Sequence, residues 1–135
     1  MIITQISASK TWPIRQKVMW PDKPLDYVKI PGDEHAAHYG LMVEGRLVSI
    51  VSLFNQNNEI QFRKFATLKS EQGKGYGSYL LSHVLKDNIS ENTTAIWCNA
   101  RIDKKNFYLK FGLQPTQKSF FKGEIEYVIM KKDLM

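Results

Sequence analysis

Apolar and polar positions alternate with two different periods along the chain, and the changes of period divide it into elements. Ile2-Ile3-Thr4-Gln5-Ile6 reads as a short strand, and Ser9 is placed to cap a helix to about Met19, with Pro13 in its first turn. Pro21-Asp22-Lys23-Pro24 and Pro31-Gly32-Asp33-Glu34 are turn signals, so residues 20 to 35 are predicted to be irregular. Two strands follow, His38 to Val43 and Leu47 to Phe54, joined by Glu44-Gly45-Arg46 as a hairpin turn. A third strand is predicted from Glu59 to Leu68 after the turn Asn55 to Asn58. Its apolar residues fall at Ile60 and Phe62 and then at Phe65, so the period of two slips by one residue. Either a β-bulge near Arg63-Lys64 or a strand buried unevenly on both faces gives that pattern.

From Gly75 to Asn88 the period becomes helical, with Leu80, Leu81, Val84 and Leu85 on one face. Thr94 to Asn99 is a short apolar strand. Asp103 can cap a helix through Lys110 that Gly112 ends, and Leu113 to Thr116 and Ile125 to Met130 supply the last strands. The order β-α-β-β-β-α-β-α-β predicts a mixed α/β (α+β) fold, a largely antiparallel central sheet flanked by helices with one bulged strand.

Composition narrows the class. With 135 residues, 43% of them hydrophobic, one domain over residues 1 to 135 is expected, large enough to need no disulfide or structural metal. Cys98 is the single cysteine, which excludes an internal disulfide and a multi-cysteine metal cluster and favours a reducing compartment. The N-terminus has no basic segment followed by an apolar one, and no run approaches the roughly 18 apolar residues of a membrane helix. The chain is therefore expected to be soluble and cytoplasmic. Its net charge of +6 lies mostly in the second half. No run of five or six like charges occurs, so a nucleic-acid-binding tail is absent.

The chemistry concentrates at Gln72-Gly73-Lys74-Gly75-Tyr76-Gly77-Ser78, between a strand and the best-defined helix. Alternate glycines allow a tight turn and close approach to bare amides, and a helix start offers free N–H groups, so phosphate is the natural occupant. No Asp or Glu occurs from Gln72 to Lys86, although acids are normally favoured in a first helical turn. Glycines serving only loop geometry are the alternative. Neither better-known phosphate loop fits: Ser78 and Leu80 stand where a dinucleotide loop needs its third glycine, and Gly75 follows Lys74 where a P-loop needs Ser or Thr.

Gln72-Gly73-Lys74-Gly75-Tyr76-Gly77 resembles the Q/R-x-x-G-x-G/A signature of the GNAT superfamily of N-acetyltransferases. Asn106-Phe107-Tyr108-Leu109-Lys110-Phe111-Gly112-Leu113 resembles its later F-Y-x-K-x-G-F segment. The resemblance covers about residues 38 to 131, and Thr11-Trp12-Pro13-Ile14-Arg15 through Pro31-Gly32-Asp33 is also similar to bacterial members. It implies a GNAT-like domain and an acetyl-CoA-dependent N-acetyltransferase. In that reading Gln72, Gly73, Lys74, Gly75, Tyr76, Gly77 and Ser78 hold the pyrophosphate through main-chain amides. Ala66, Thr67 and Leu68 on the bulged strand bind the pantetheine arm, and Tyr108 is the general acid toward the departing thiolate. Leu113, Lys104 and Arg101 depart from the residues usual at those places. Chemistry agrees on Tyr108: a phenol of pKa near 10 stays protonated at neutral pH and can donate to a thiolate whose acid has pKa roughly 8.5.

Glu59, Glu34, Asp33, His35 and His38 are candidates for the general base, with a water chain as the alternative, and His83 reads as structural. Three scattered histidines and one cysteine give no metal site. The expected partner is a small-molecule or peptide amine acceptor, with a homodimer as an option and neither nucleic acid nor membrane. Two competing readings are a CoA-binding sensor without transfer and a basic single-strand-binding module using Arg63, Lys64, Lys69 and Lys74 with Phe62 and Phe65.

Overall fold

The computed structural model describes residues 1–134 and follows the expected element order, except that it ends in two strands where that order has one. The elements are β1 (Ile2–Ile6), α1 (Ala8–Met19), β2 (Ala37–Val43), β3 (Arg46–Gln56), β4 (Glu59–Thr67), α2 (Tyr76–Asn88), β5 (Ala95–Arg101), α3 (Lys105–Leu109), β6 (Gln114–Lys122) and β7 (Ile125–Asp133). The fold is mixed α+β, mostly antiparallel, with one parallel pair, β4 with β5. The chain forms two compact units, one of Met1–Phe54 with Lys64–Asn88, the other of Asn55–Arg63 with the chain from Ile89 onward.

In the first unit the strands lie in the order β1-β2-β3-β4. β1 pairs antiparallel with β2, Ile2 opposite Met42, and β2 with β3, Ala37 opposite Leu53. The β2–β3 turn places Glu44 at φ 52° and Gly45 at φ 78°, and the β3–β4 turn, which belongs to the second unit, places Asn57 and Asn58 at φ 54° and 62°. Positive φ at both central residues gives a two-residue hairpin the twist of its strands. Helix α2 buries Leu80, Leu81, Val84 and Leu85, the face its period predicts. Each such side chain contributes roughly 1.5–3 kcal/mol, so this face alone holds the helix in place. Ile14 of α1, Ile50 and Ala66 form a second cluster with Ile6, Val18, Leu47 and Leu68 packed on it.

In the second unit the order is β4-β5-β7-β6, with Glu59 opposite Ala95 in the parallel pair and antiparallel pairing elsewhere. Its core is Ile60, Phe62, Ile96, Cys98, Ala100, Leu113, Val128 and Met130.

The break of period in β4 has a backbone cause. Lys64 sits at φ 54°, in the left-handed region inside a strand. A regular pleat cannot contain that conformation, and a bulge can. Beyond it Ala66 joins the α1 cluster, while the Phe65 ring lies against α2 at Gly77.

Four local expectations are corrected. Helix α1 begins one residue before Ser9; Ser7 is its N-cap and makes no side-chain cap bond, so Pro13 falls at the sixth helical residue. Asp103 caps nothing: it lies in a 3₁₀ turn (Ile102–Lys104) and faces Arg101 at 3.6 Å, and α3 has five residues. Gly112, at φ 87°, ends that segment as predicted. Strand β6 continues to Lys122 rather than stopping at Thr116, because a register shift between Pro115 and Ser119 lets the chain re-pair with β7. Residues 20 to 35 contain two 3₁₀ turns, Leu25–Val28 and Asp33–His35. No helix among the described residues is long and apolar enough to cross a membrane.

Candidate functional site

The glycine loop joins β4 to α2 in the first unit, and its three glycines have different reasons to be glycine. Gly73 and Gly75 adopt φ 80° and 84°, and a Cβ on either would meet open space. Their backbone conformation, not crowding, selects them. Gly77 is inside α2, where a Cβ would stand 3.0 Å from Phe65 Cζ and 3.2 Å from Thr67 Oγ1. It lets the helix start close against β4.

The loop's side chains turn to the protein. Gln72 donates from Nε2 to the Thr67 carbonyl at 2.9 Å, tying the loop to the end of β4. Lys74 donates from Nζ to Glu71 Oε2 at 2.9 Å, and this carboxylate, first through its hydrogen bond and then through its charge, raises the lysine pKa. Arg46 approaches Glu71 at 3.8 Å, and with Val43, Val48 and Tyr76 these residues line a pocket of about 220 Å³. The first helical hydrogen bond of α2 runs from Tyr79 N–H to the Gly75 carbonyl. The N–H groups of Tyr76, Gly77 and Ser78 therefore precede the ladder, and no acid occupies that turn. Exposed glycine backbone and orphan amides, with no acid in the first turn of α2, suit the loop to a phosphate, although the Glu71 carboxylate stands beside it on Lys74 and Arg46.

Ala66, Thr67 and Leu68 lie at the end of β4 and just beyond it. Leu68 N–H donates to the Val48 carbonyl at 2.9 Å, and the Ala66 carbonyl accepts from Ser49 Oγ at 3.1 Å. Strand alternation points the main-chain groups of Thr67 away from β3. Of the three, Leu68 has its N–H already committed.

In the second unit, Tyr108 is on α3 with its ring 5.7 Å from Phe62 and 5.2 Å from Phe107. No described residue hydrogen-bonds its hydroxyl. Burial, and secondarily the Cys98 thiol, hold its pKa well above the usual phenol value, while burial pushes Cys98 up to about 12. Both groups keep their protons at neutral pH.

Sequence reasoning missed a buried polar network in the first unit. Arg15 has no exposed surface; Nη1 donates to Asp33 Oδ2 at 2.9 Å and the Val28 carbonyl at 3.0 Å, and Nη2 to Asp33 Oδ1 and Ser52 Oγ, both at 3.0 Å. Only Arg15 Nε is left without a partner. Asp33 also accepts from Ile30 N–H at 3.1 Å and Trp12 Nε1 at 3.3 Å. Burial raises the Asp33 pKa, but the Arg15 and Ile30 hydrogen bonds and the arginine charge outweigh it, and the net shift is downward. His38 is 2.7 Å from Ser52 Oγ through Nδ1 and 2.8 Å from the Asp33 carbonyl through Nε2. A carbonyl only accepts, so Nε2 carries the proton and Nδ1 accepts from Ser52.

Two base candidates, Asp33 and His38, are thus consumed by structure. Glu34 and His35 are exposed and 3.6 Å apart, and Glu59 is bound by Lys131 at 3.3 Å. His83 bonds the Tyr79 carbonyl one helical turn back at 2.8 Å, in keeping with a structural role. No group of His, Cys, Asp or Glu suited to a metal occurs among the described residues.

The acetyltransferase (GNAT) domain model matches residues 19–134. An uncharacterized N-acetyltransferase of Bacillus subtilis strain 168, YitI, is 28% identical over 142 residues, covering 98% of this chain and 95% of YitI. Two solved structures share the fold: Escherichia coli ElaA, with TM-score 0.79, 17% identity and coverage of 98% and 99%, and a GNAT family acetyltransferase from Elizabethkingia anophelis with acetyl-CoA bound, with TM-score 0.75, 12% identity and coverage of 98% and 97%. A domain model that spans both the glycine loop and the Tyr108 segment settles the family: the chain belongs to the GNAT acetyltransferases.

Proposed function

We propose that this protein transfers an acetyl group from acetyl-CoA to a primary amine, as one acetyltransferase domain spanning residues 1 to 135. The observation that carries this reading is the loop itself, with Gly73 and Gly75 in left-handed conformations before three orphan amides in a first helical turn free of acids. Main-chain N–H groups of Gly73 to Ser78 bind the pyrophosphate, with the helix dipole adding to the attraction. The Lys74 side chain, turned to Glu71, is not the main anchor. Of the strand residues, Thr67 is the one whose N–H is offered to the pantetheine arm, its carbonyl already accepting from Gln72 Nε2, with Ala66 and Leu68 shaping its surroundings.

The acceptor nitrogen attacks the thioester carbonyl, its C–N bond forms, the C–S bond breaks, and the thiolate takes a proton. Tyr108 supplies that proton. Its raised pKa keeps the proton in place before the reaction and costs driving force, so donation is concerted with thiolate departure. The acceptor's own proton goes to water; Asp33 and His38 are fully engaged and do not take it. Calorimetry with acetyl-CoA, followed by turnover with an amine panel, tests the whole reading. Binding with turnover supports it, and binding without turnover leaves a CoA sensor.

A further inference from the structure

Ser49 is a buried hydroxyl for which the chemistry above has no use. It lies in β3 without exposed surface, between the buried side chains Val48 and Ile50. Its Oγ donates to the Ala66 carbonyl at 3.1 Å. The same oxygen is 2.8 Å from Thr67 Oγ1. A serine has one hydroxyl proton and a carbonyl only accepts, so Thr67 is the donor in the second bond. We propose that Ser49 is a positioning residue: through Thr67 it aims the main-chain N–H offered to the pantetheine arm of acetyl-CoA. This rests on the transferase reading above and on its use of Thr67.

The end of β4 needs such a constraint. The bulge at Lys64 interrupts the pleat shortly before Thr67, so the direction of the later main-chain groups does not follow from the strand that precedes it. The groups around the Thr67 N–H are tied down instead. The Thr67 carbonyl accepts from Gln72 Nε2 at 2.9 Å, Ser49 holds the Ala66 carbonyl, and the Val48 carbonyl holds Leu68 N–H at 2.9 Å. The Thr67 hydroxyl reaches Ser49 and would stand 3.2 Å from a Cβ on Gly77, so this side chain is fixed between β3 and the start of α2. Threonine branches at Cβ. Holding its hydroxyl therefore holds χ1 and leaves the backbone that carries it little freedom.

Packing alone gives no reason for a hydroxyl at this place. Alanine fills nearly the same space among apolar neighbours, and a buried hydroxyl is tolerated only where it is hydrogen-bonded. Both bonds of Ser49 end on residues 66 and 67, so its effect is confined to the point where β4 meets the ligand. Ser52, the other buried serine of β3, belongs to the Arg15 network instead. A donor held in advance loses little entropy when the ligand arrives. The effect of Ser49 is therefore read in CoA affinity.

The test follows amide hydrogen exchange by NMR with and without CoA, beside calorimetry and melting curves, in the unaltered protein, Ser49→Ala, Thr67→Val and the double variant. In the unaltered protein CoA should slow exchange at Thr67 and at the loop amides of Gly73 to Ser78. In Ser49→Ala that protection should fall at Thr67 and persist in the loop, with CoA affinity about five- to tenfold weaker, the effect of one neutral hydrogen bond. Thr67→Val keeps the side-chain volume and the bond from Ser49 to Ala66, so it carries the test where Ser49→Ala does not fold, and it should lose the same affinity. The double variant should bind CoA no worse than Ser49→Ala, because both changes break one path. Protection lost equally at Thr67 and in the loop, unchanged affinity in both single variants, or losses that add in the double variant would overturn the positioning role alone. CoA binding that leaves the Thr67 amide unprotected would remove Thr67 from the site and overturn the role of Ser49 with it. An unaltered protein that binds no CoA would overturn the transferase reading itself.

Discussion

Arg15 grips Asp33 with both ends of its guanidinium, at 2.9 and 3.0 Å, and neither side chain has appreciable exposure. The pair joins α1 to the segment before β2, so its removal unfastens that segment. Arg15→Met leaves a buried carboxylate without its counter-charge, a change that typically costs about 3–5 kcal/mol. The melting temperature should fall by roughly 10 °C or more. Arg15→Met combined with Asp33→Leu should recover part of the loss, because no buried charge then remains. A double variant as unstable as the single one would show that the contacts matter and the charge balance does not.

The same pair predicts a pH dependence. The folded-state pKa of Asp33 lies below its ordinary value of 3.8. Its contribution to stability is therefore complete above about pH 4 and is lost as pH falls through the lower folded value. Denaturant unfolding from pH 7 to pH 2 should show this fall in the unaltered protein and a shallower one in Asp33→Asn, which is less stable at neutral pH. Parallel curves would remove Asp33 from the acid transition.

The loop glycines separate two functions that one motif merges. Gly75→Glu has room for its side chain but places bulk and negative charge at the amides, so CoA affinity should collapse with only modest loss of stability. Gly77→Ala drives a Cβ to 3.0 Å from Phe65 and pushes α2 off β4, so stability should fall first and affinity with it. Calorimetry beside a melting curve distinguishes them. A folded Gly75→Glu protein with unchanged affinity would end the phosphate-loop reading.

Legibility from sequence followed the range of the interactions. Helix α2 was readable because Leu80, Leu81, Val84 and Leu85 repeat within one short stretch. The bulge was readable because a single slipped residue shifts every later side chain of β4. Asp103 misled because a capping residue is a local signal, and here the chain entered a 3₁₀ turn and an Arg101 contact instead. Strand β6 was cut short because residues 117 to 122 are polar or exposed on an edge, so pairing with β7 rather than burial makes them a strand. The Arg15 network joins positions up to 37 residues apart, and no spacing rule links an arginine in a helix to a serine in a strand. The backbone conformation of the glycine loop was readable for the opposite reason, since it is set by residues close together in sequence.

Lys74 separates side-chain from main-chain anchoring. Because its ammonium is held by Glu71 at 2.9 Å, Lys74→Ala should weaken CoA binding by less than about tenfold, the range of exposed charge contacts. Glu71→Gln should tighten binding, since it releases Lys74 and Arg46 from a competing carboxylate. Titrations at two salt concentrations check both. Abolished binding in Lys74→Ala would transfer the anchoring role from the backbone to the side chain.

Tyr108 provides the clearest separation of chemistry from packing. Its ring packs on Phe62 and Phe107, while its hydroxyl has no hydrogen-bond partner among the described residues. Tyr108→Phe keeps the packing and deletes only the polar atom, so the melting temperature should hold or rise slightly. On the proposed mechanism the proton for the departing thiolate is lost with that atom. General-acid catalysis contributes about a hundredfold to ten-thousandfold, and a thiolate is a fair leaving group, so a rate loss near the lower end is expected. Because burial holds the Tyr108 pKa above the usual phenol value, the unaltered enzyme should show no loss of rate from tyrosine ionisation up to about pH 10. Single-turnover acetyl transfer across pH, with melting curves for both proteins, decides the matter. Equal rates, or a rate loss that only follows a stability loss, would assign Tyr108 to packing alone.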